Sequence, residues 1–579
     1  MHESSTWLTF EHGERKVIHV AKSQHLEWAS GDSNYLCLFG YVFVDGCPAD
    51  ATELMSIFDL QEDLTQVYQR LSGQFWVLYV NQNRPVVLFN DQIGAKNCYF
   101  HETENALFFS NCLKDIKLHE DTNLQVNHQA LYNYIYFHCI PSPTTIYELT
   151  SKLEPGKAVL FDSINGKTTE LLYSPIFASS INNQKQAQEE CLEIVEDCVK
   201  RADFGKVGAF LSGGLDSSTV AGMLAKINKN KAKTFSIGFK VKGYDETEYA
   251  LITAKHFDTQ HEVLYLEPEE AAKKFVEVAQ HFDEPFGNSS AMAAFFCAKY
   301  AKEKGIEVLL AGDGGDELFA GNERYAKQKV FELYNRLPSF MGNVLNNAFN
   351  NRLGRKIPGV QKVASYLEQA RVKLPGRLQT HNFVNQMGAE AIYSEALLAG
   401  VDKHIPILQL EQRFNECKSN HPVDQMLFLD WKNTLADNDL VKVTKMCDLA
   451  GVEVRFPLLD KKLIDFSCKI PAETKLPGGE LRDFYKKSCK GFLADETLNK
   501  SKHGFGLPFG AWMKENQQLK DITIEALASF KKRNIVKNSL IDTALNSHNT
   551  VHTSYYGELI WIMVVLELWL QKEEPDFKV

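Results

Sequence analysis

Two glycine-rich, acidic loops are the parts of this sequence best suited to chemistry. The first is Ser212-Gly213-Gly214-Leu215-Asp216-Ser217-Ser218, entered from an apolar run at 207–211 and left through a helix-like run at 219–225. Paired glycines after a strand let the backbone turn tightly and approach a ligand closely. The helix that follows presents free N–H groups and the positive end of its dipole. Leu211, Gly213 and Gly214 supply backbone, and Ser212, Ser217 and Ser218 add hydroxyls, so the loop is an anion cradle with phosphate as its natural guest. Asp216 would repel such a guest unless a divalent cation bridges the two. Mg²⁺ commonly takes one or two carboxylates together with phosphate oxygens, so the loop predicts a Mg·nucleotide. The chain has no GxxxxGK[ST] loop, and this loop lacks the GxGxxG of a dinucleotide site.

The second loop is Ala311-Gly312-Asp313-Gly314-Gly315-Asp316-Glu317, after an apolar run at 307–310. One such turn would be ordinary surface structure. Two acidic, glycine-rich turns at strand ends point to one site, because the carboxyl edge of a parallel sheet is where ligands bind. Asp216 and Asp316 are the expected metal ligands.

The surrounding pattern supplies that sheet. After a helical stretch at 186–201, short apolar runs at 207–211, 233–239, 262–266 and 307–310 alternate with helical segments, as in a doubly wound parallel sheet covered on both faces. Beyond residue 321 the chain reads as mostly helical. The first ~175 residues differ: β-type runs at 35–44, 74–80, 85–90 and 106–110 are split by turns such as Asp45-Gly46, which predicts a layered antiparallel α+β domain. Polar residues 173–185 form the linker, giving domains at 1–178 and 186–575. A basic stretch at 352–377 reads as a solvated helical face, with a docking surface for an anion as the alternative. His256 and His261 could pair on a metal, but packing roles are commoner.

Composition bounds the rest. In 579 residues, Lys+Arg is 63 and Asp+Glu is 74, for a net charge of −11. This excess of acids gives no whole-molecule attraction to nucleic acid or to an anionic membrane. The most apolar run, 559–570, contains Glu567 and is too short to span a bilayer, so it predicts a buried helix. The start of the sequence lacks the features of a secretory signal. The twelve cysteines are scattered, with no CxxC pair. A reduced, cytoplasmic chain is the expectation.

The motifs together resemble the asparagine synthetase family. SGGLDSS is similar to the pyrophosphate loop of the N-type ATP pyrophosphatases, and AGDGGDELFAG resembles that family's second acidic loop. Phe235-Ser-Ile237-Gly-Phe239 resembles the strand that reads adenine. Residues 439–445 and 451–460 resemble the family's later helical signature, and Lys502-His-Gly-Phe-Gly506 resembles its C-terminal lysine loop. More weakly, Leu71-Ser-Gly-Gln-Phe75, Asp91-Gln-Ile-Gly94 and Phe108-Phe-Ser-Asn111 resemble a class II glutamine amidotransferase domain of the Ntn-hydrolase type.

The resemblance implies an ATP-dependent ligase that adenylates a carboxylate and passes it to an amine or ammonia, releasing AMP and pyrophosphate. It assigns ATP contacts to Leu211, Ser212, Gly213, Gly214, Asp216, Ser217, Ser218, Ile237, Ala311 and Gly312, and catalytic roles to Asp313, Lys442 and Lys502. Glutamine hydrolysis in the family uses a terminal cysteine, whereas this sequence has His2 and its first cysteine is Cys37. The expectation is therefore a degenerate amidotransferase lobe, with nitrogen coming from ammonia, a substrate amine or a partner glutaminase; a homodimer or that partner glutaminase is the expected assembly. Asparagine synthesis from ammonia is the alternative, and a non-catalytic binding subunit a second one. The intact acidic loops speak against the latter.

Overall fold

The computed structural model describes residues 2–3, 6–12, 16–23, 25–61, 63–162, 166–229, 231–241, 243–335, 366–500 and 506–579. Its first part stacks two sheets. One orders the strands His2–Glu3, Trp7–His12, Lys16–Ala21, Ala106–Ser110, Tyr99–Glu102 and Thr150–Lys152. The other orders Gly166–Leu171, Lys157–Asp162, Val86–Asn90, Leu71–Asn81, Asn34–Val44 and Leu26–Ser30, with Cys47–Ala49 paired to Asn34–Val44.

Alternation divides each strand between two cores. In Leu71–Asn81, Trp76, Leu78 and Val80 enter the seam between the sheets with Leu8, Phe10, Ile18 and Val20. Phe75, Val77 and Tyr79 face the opposite way, toward Leu54, Phe58 and Val67 of helices Ala51–Leu60 and Leu64–Arg70. Both faces are covered, so this strand is apolar from Phe75 to Val80 without a break. Helices Leu113–Leu118 and His128–Phe137 cluster with Tyr99 and Phe108 on the far side of the first sheet. The layers run helix, sheet, sheet, helix, which fits the layered α+β domain expected from the sequence without that order having been read from it. The pairing is not wholly antiparallel, however: Lys16–Ala21 and Ala106–Ser110 run parallel.

The second part is built on a five-stranded parallel sheet. Its order is Gln260–Tyr265, Lys233–Gly238, Val207–Phe210, Val308–Leu310 and Glu453–Arg455. The first strand in sequence, Val207–Phe210, lies between the second and the fourth. The winding therefore reverses between Val207–Phe210 and Val308–Leu310, and the crevice at such a switch point is where doubly wound sheets bind ligands. The fifth strand corrects a reading of the sequence: residues 451–460 resembled part of a helical signature, but Gly451 ends helix Leu440–Ala450 in a left-handed conformation (φ 72°) and the chain re-enters the sheet. Three residues are too few to display a period.

Helix Thr553–Glu573 is buried from Leu559 to Leu570, and Glu567 inside it is paired with Arg533 at 2.9 Å. Among the described residues no helix is long and apolar enough to cross a membrane. Of the basic stretch, 352–365 lies outside the described residues. Arg371 and Lys373 are exposed, whereas Arg377 is buried and donates to Val372 O at 2.7 Å and Gln328 Oε1 at 3.0 Å, so it belongs to no solvated face.

The two parts meet through polar contacts as well as a shared core. Lys152 Nζ lies 2.7 Å from Glu284 Oε2, whose other oxygen accepts from Ile146 N at 2.8 Å. Arg413 pairs with Asp437 at 2.7 Å, and Asp437 also accepts from Ser142 N at 3.0 Å.

Candidate active site

Both predicted loops leave neighbouring strands and lock against each other through glycine. Gly213 is left-handed (φ 71°), and a Cβ there would lie 2.4 Å from Ala250 N. A Cβ on Gly312 would lie 2.6 Å from Ser217 N, and one on Gly315 would lie 2.2 Å from Asp216 Oδ1. The second loop thus presses its backbone onto the first, which only glycine permits.

They open on a cavity of about 360 Å³. Its walls include Leu211, Ser212, Gly214, Asp216, Ser217, Ile237, Ala311, Gly312, Asp313, Asp316 and Lys442, so most of the predicted contacts converge. Ser212 Oγ and Ser217 Oγ are 3.0 Å apart. The hydroxyl of Ser218 is placed differently, fully buried and 3.0 Å from Thr253 Oγ1. Gly213 forms the turn but no wall. Lys502 lies outside the described residues. His256 and His261 do not pair on a metal: the first contacts Phe492 O at 2.9 Å, and the second Thr234 at 2.9 Å and Ser236 at 3.2 Å.

Three contributors escaped the sequence reading. Arg482 Nη1 lies 2.9 Å from Asp216 Oδ2 and 3.1 Å from Asp316 Oδ1, joining the two predicted metal ligands through one cation. Nothing in its sequence spacing marks it, since it is 266 residues from Asp216. Asp439 holds Lys442 Nζ at 2.8 Å. The Asp-x-x-Lys spacing on a helix was the available signal. Lys500 pairs with Glu246 at 2.9 Å beside Ser212 O, at 3.4 Å. A π-helix, Trp431–Asp439, delivers Leu435 and Asp439 to the cavity wall, as such turns often do at functional sites.

The electrostatics are lopsided. Asp216, Asp313, Asp316, Glu317 and Asp439 all line the cavity, against the cations of Lys442 and Arg482. Burial pushes the Asp313 carboxyl up to about 6, with Lys442 opposing and Asp439 adding to the rise. Burial works against the charge of Lys442, but Asp439 and Asp313 outweigh it and hold its pKa above the ordinary lysine value. A bare polyphosphate would be repelled by this wall. A hard divalent cation held by Asp216 and Asp316 would reverse the local field, so the donor set fits such an ion.

Helix Leu440–Ala450 separates this cavity from a second one of about 320 Å³ between the two parts. Lys442 and Val443 face the first, whereas Val441, Thr444, Lys445 and Asp448 face the second, opposite Tyr41, Lys96 and Asn111. Among the described residues no cysteine lines the second cavity. Cys37 is buried, with burial pushing its thiol up to about 12, and Cys98 is buried as well.

A doubly wound sheet with two acidic phosphate-type loops at its switch point, joined to a layered amidotransferase-like domain, defines an ATP-dependent, amidotransferase-like ligase. The chain belongs to the asparagine synthase family: the family described as Asparagine synthase matches residues 190–571, and the Glutamine amidotransferase domain matches 49–173. It is similar to the Asparagine synthetase [glutamine-hydrolyzing] 1 of Bacillus subtilis, 26% identical over 92% of this chain and 82% of that one. A Putative asparagine synthetase [glutamine-hydrolyzing] 2 of Methanocaldococcus jannaschii is 32% identical over 66% of this chain and 74% of that one. A Putative asparagine synthetase of Mycobacterium bovis is 24% identical over 87% and 77%.

Proposed function

We propose that this ligase adenylates a substrate carboxylate with Mg·ATP and transfers the acyl group to an amine or ammonia, releasing AMP and pyrophosphate. The observation that carries the reading is the convergence of the 212–217 and 311–316 loops on one cavity at the sheet's switch point. A carboxylate oxygen attacks the α-phosphorus of ATP, and pyrophosphate departs into the Ser212–Ser217 cradle. The nitrogen nucleophile then attacks the acyl carbon, and AMP leaves. Asp216 and Asp316 would hold Mg²⁺, which supplies charge neutralisation on the phosphates.

The chain's own groups do the rest. Backbone N–H groups after Gly214 meet phosphate oxygens. Lys442, fixed by Asp439, offers a positive charge where charge develops, and Lys502 joins it on the strength of the family motif. Asp313, with a pKa raised toward neutrality, is suited to hold the proton that the attacking amine gives up. Its family position supports a part in making or using the adenylate.

Among the described residues no cysteine lines the interdomain cavity, which supports a donor other than glutamine; we place the chain in the cytoplasm. A second reading, asparagine made from aspartate with ammonia or a partner glutaminase, is favoured by the names of the relatives. The test is ATP–pyrophosphate exchange over a panel of carboxylates. Mg²⁺-dependent exchange with one of them supports the proposal, exchange with aspartate selects the second reading, and release of ADP would overturn both.

A further inference from the structure

Outside the nucleotide cavity, one group of three side chains among the described residues has the makings of a metal site. Histidines 19 and 119 and Asp121 each present one ligand atom, all within 4.8 Å of one another. They come from two separate places: strand Lys16–Ala21, and the turn after helix Leu113–Leu118.

The surroundings hold the rings in place. In cross-strand register, Thr9 and Phe108 flank His19 on its two neighbouring strands. Phe108 stacks on the His19 ring with centroids 5.0 Å apart and planes 12° apart. Thr9 Oγ1 is 3.2 Å from His19 Nδ1. With Nδ1–H donated to Thr9, the ring presents Nε2 as a lone pair, the orienting contact that ligating histidines generally have. Trp7 meets His119 edge-on at 4.9 Å, and the two imidazole centroids are 4.7 Å apart. His119 Nδ1 accepts from Asp121 N at 3.2 Å and lies 3.7 Å from Asp121 Oδ2, so this ring and carboxylate already share one turn.

We propose that His19, His119 and Asp121 bind a borderline divalent transition-metal ion, with Zn²⁺ as its type. Two imidazoles and one carboxylate suit such an ion and not Mg²⁺, which prefers an all-oxygen shell. Three protein ligands leave a position for water or a further ligand. The ion would tie the Lys16–Ala21 strand to the turn after Leu113–Leu118, far in sequence from the Asp216–Asp316 pair.

The test is equilibrium dialysis of the chelator-stripped full chain against Zn²⁺, with Co²⁺ absorption as the second readout. One equivalent should bind and give a d–d spectrum typical of low coordination number. His19→Gln, His119→Gln and Asp121→Asn should each weaken that binding about tenfold or more. His404→Gln, an exposed histidine elsewhere, should not change it. Asp121 is 65% exposed, so its variant keeps the test valid if a histidine variant folds poorly. Absence of retained zinc, or zinc retained equally by all three variants, would overturn the proposal and leave a plain aromatic–histidine cluster.

Discussion

Arg482 Nη1 lies 2.9 Å from Asp216 Oδ2, with Asp316 Oδ1 at 3.1 Å from the same nitrogen. One guanidinium thus holds together the carboxylates of two loops that the sequence separates widely. All three side chains are largely buried, so removing the cation leaves two like charges facing each other. Arg482→Ala should lower stability by about 3 kcal/mol, as removal of one member of a buried pair commonly does, and should also depress nucleotide binding. Arg482→Lys, with a single ammonium, should restore part of both. Urea unfolding and ATP titration measure the two effects, and an unaltered Arg482→Ala variant would show that the bridge holds nothing.

Asp216→Asn and Asp316→Asn should each cut pyrophosphate exchange by at least about 100-fold, the scale for loss of a group that stabilises transition-state charge. Each should melt within a few degrees of the parent chain, since an amide still accepts from Arg482. A double variant with full exchange would remove the two-carboxylate metal site from the proposal.

Asp313 should make stability depend on pH in a particular direction. Its folded pKa, about 6, is above the ordinary carboxyl value of 3.8. Between those values the folded state binds more protons than the unfolded one, so stability contributed here is present at low pH and lost as pH rises through about 6. Asp313→Asn removes that loss. It should gain about 1–3 kcal/mol over the parent at pH 7.5, about half of that at pH 5 and little at pH 3.5, read by urea unfolding. Turnover should move oppositely: the parent's rate rises with pH through about 6, and the variant is slow throughout.

Glutamine should not support turnover, whereas ammonia or an amine should. Cys37 sits in the seam between the sheets, and burial pushes its thiol up to about 12, far from a working thiolate. Purified chain given glutamine, ATP and the carboxylate should release no glutamate. Stoichiometric glutamate release that disappears in Cys37→Ala, Cys98→Ala or Cys112→Ala would name another nucleophile and refute this prediction.

The sequence by itself determined the loops and their chemistry. Glycines after apolar runs, a carboxylate in each loop, and alternating helical and strand periods are local signals, because backbone freedom and side-chain period act over a few residues. They sufficed for the layered first domain, most of the parallel sheet and about half of the cavity wall from Leu211 to Lys442. The tertiary structure decided what lies across the chain. It put Val308–Leu310 beside Val207–Phe210, and so brought Asp316 to Asp216. It brought Arg482 between them and turned the Ser218 hydroxyl toward Thr253. It gave Glu453–Arg455 to the sheet, since three residues carry no period and only hydrogen bonds to a neighbouring strand define them. It also set His19 beside His119, a juxtaposition made by cross-strand register and packing that sequence distance conceals.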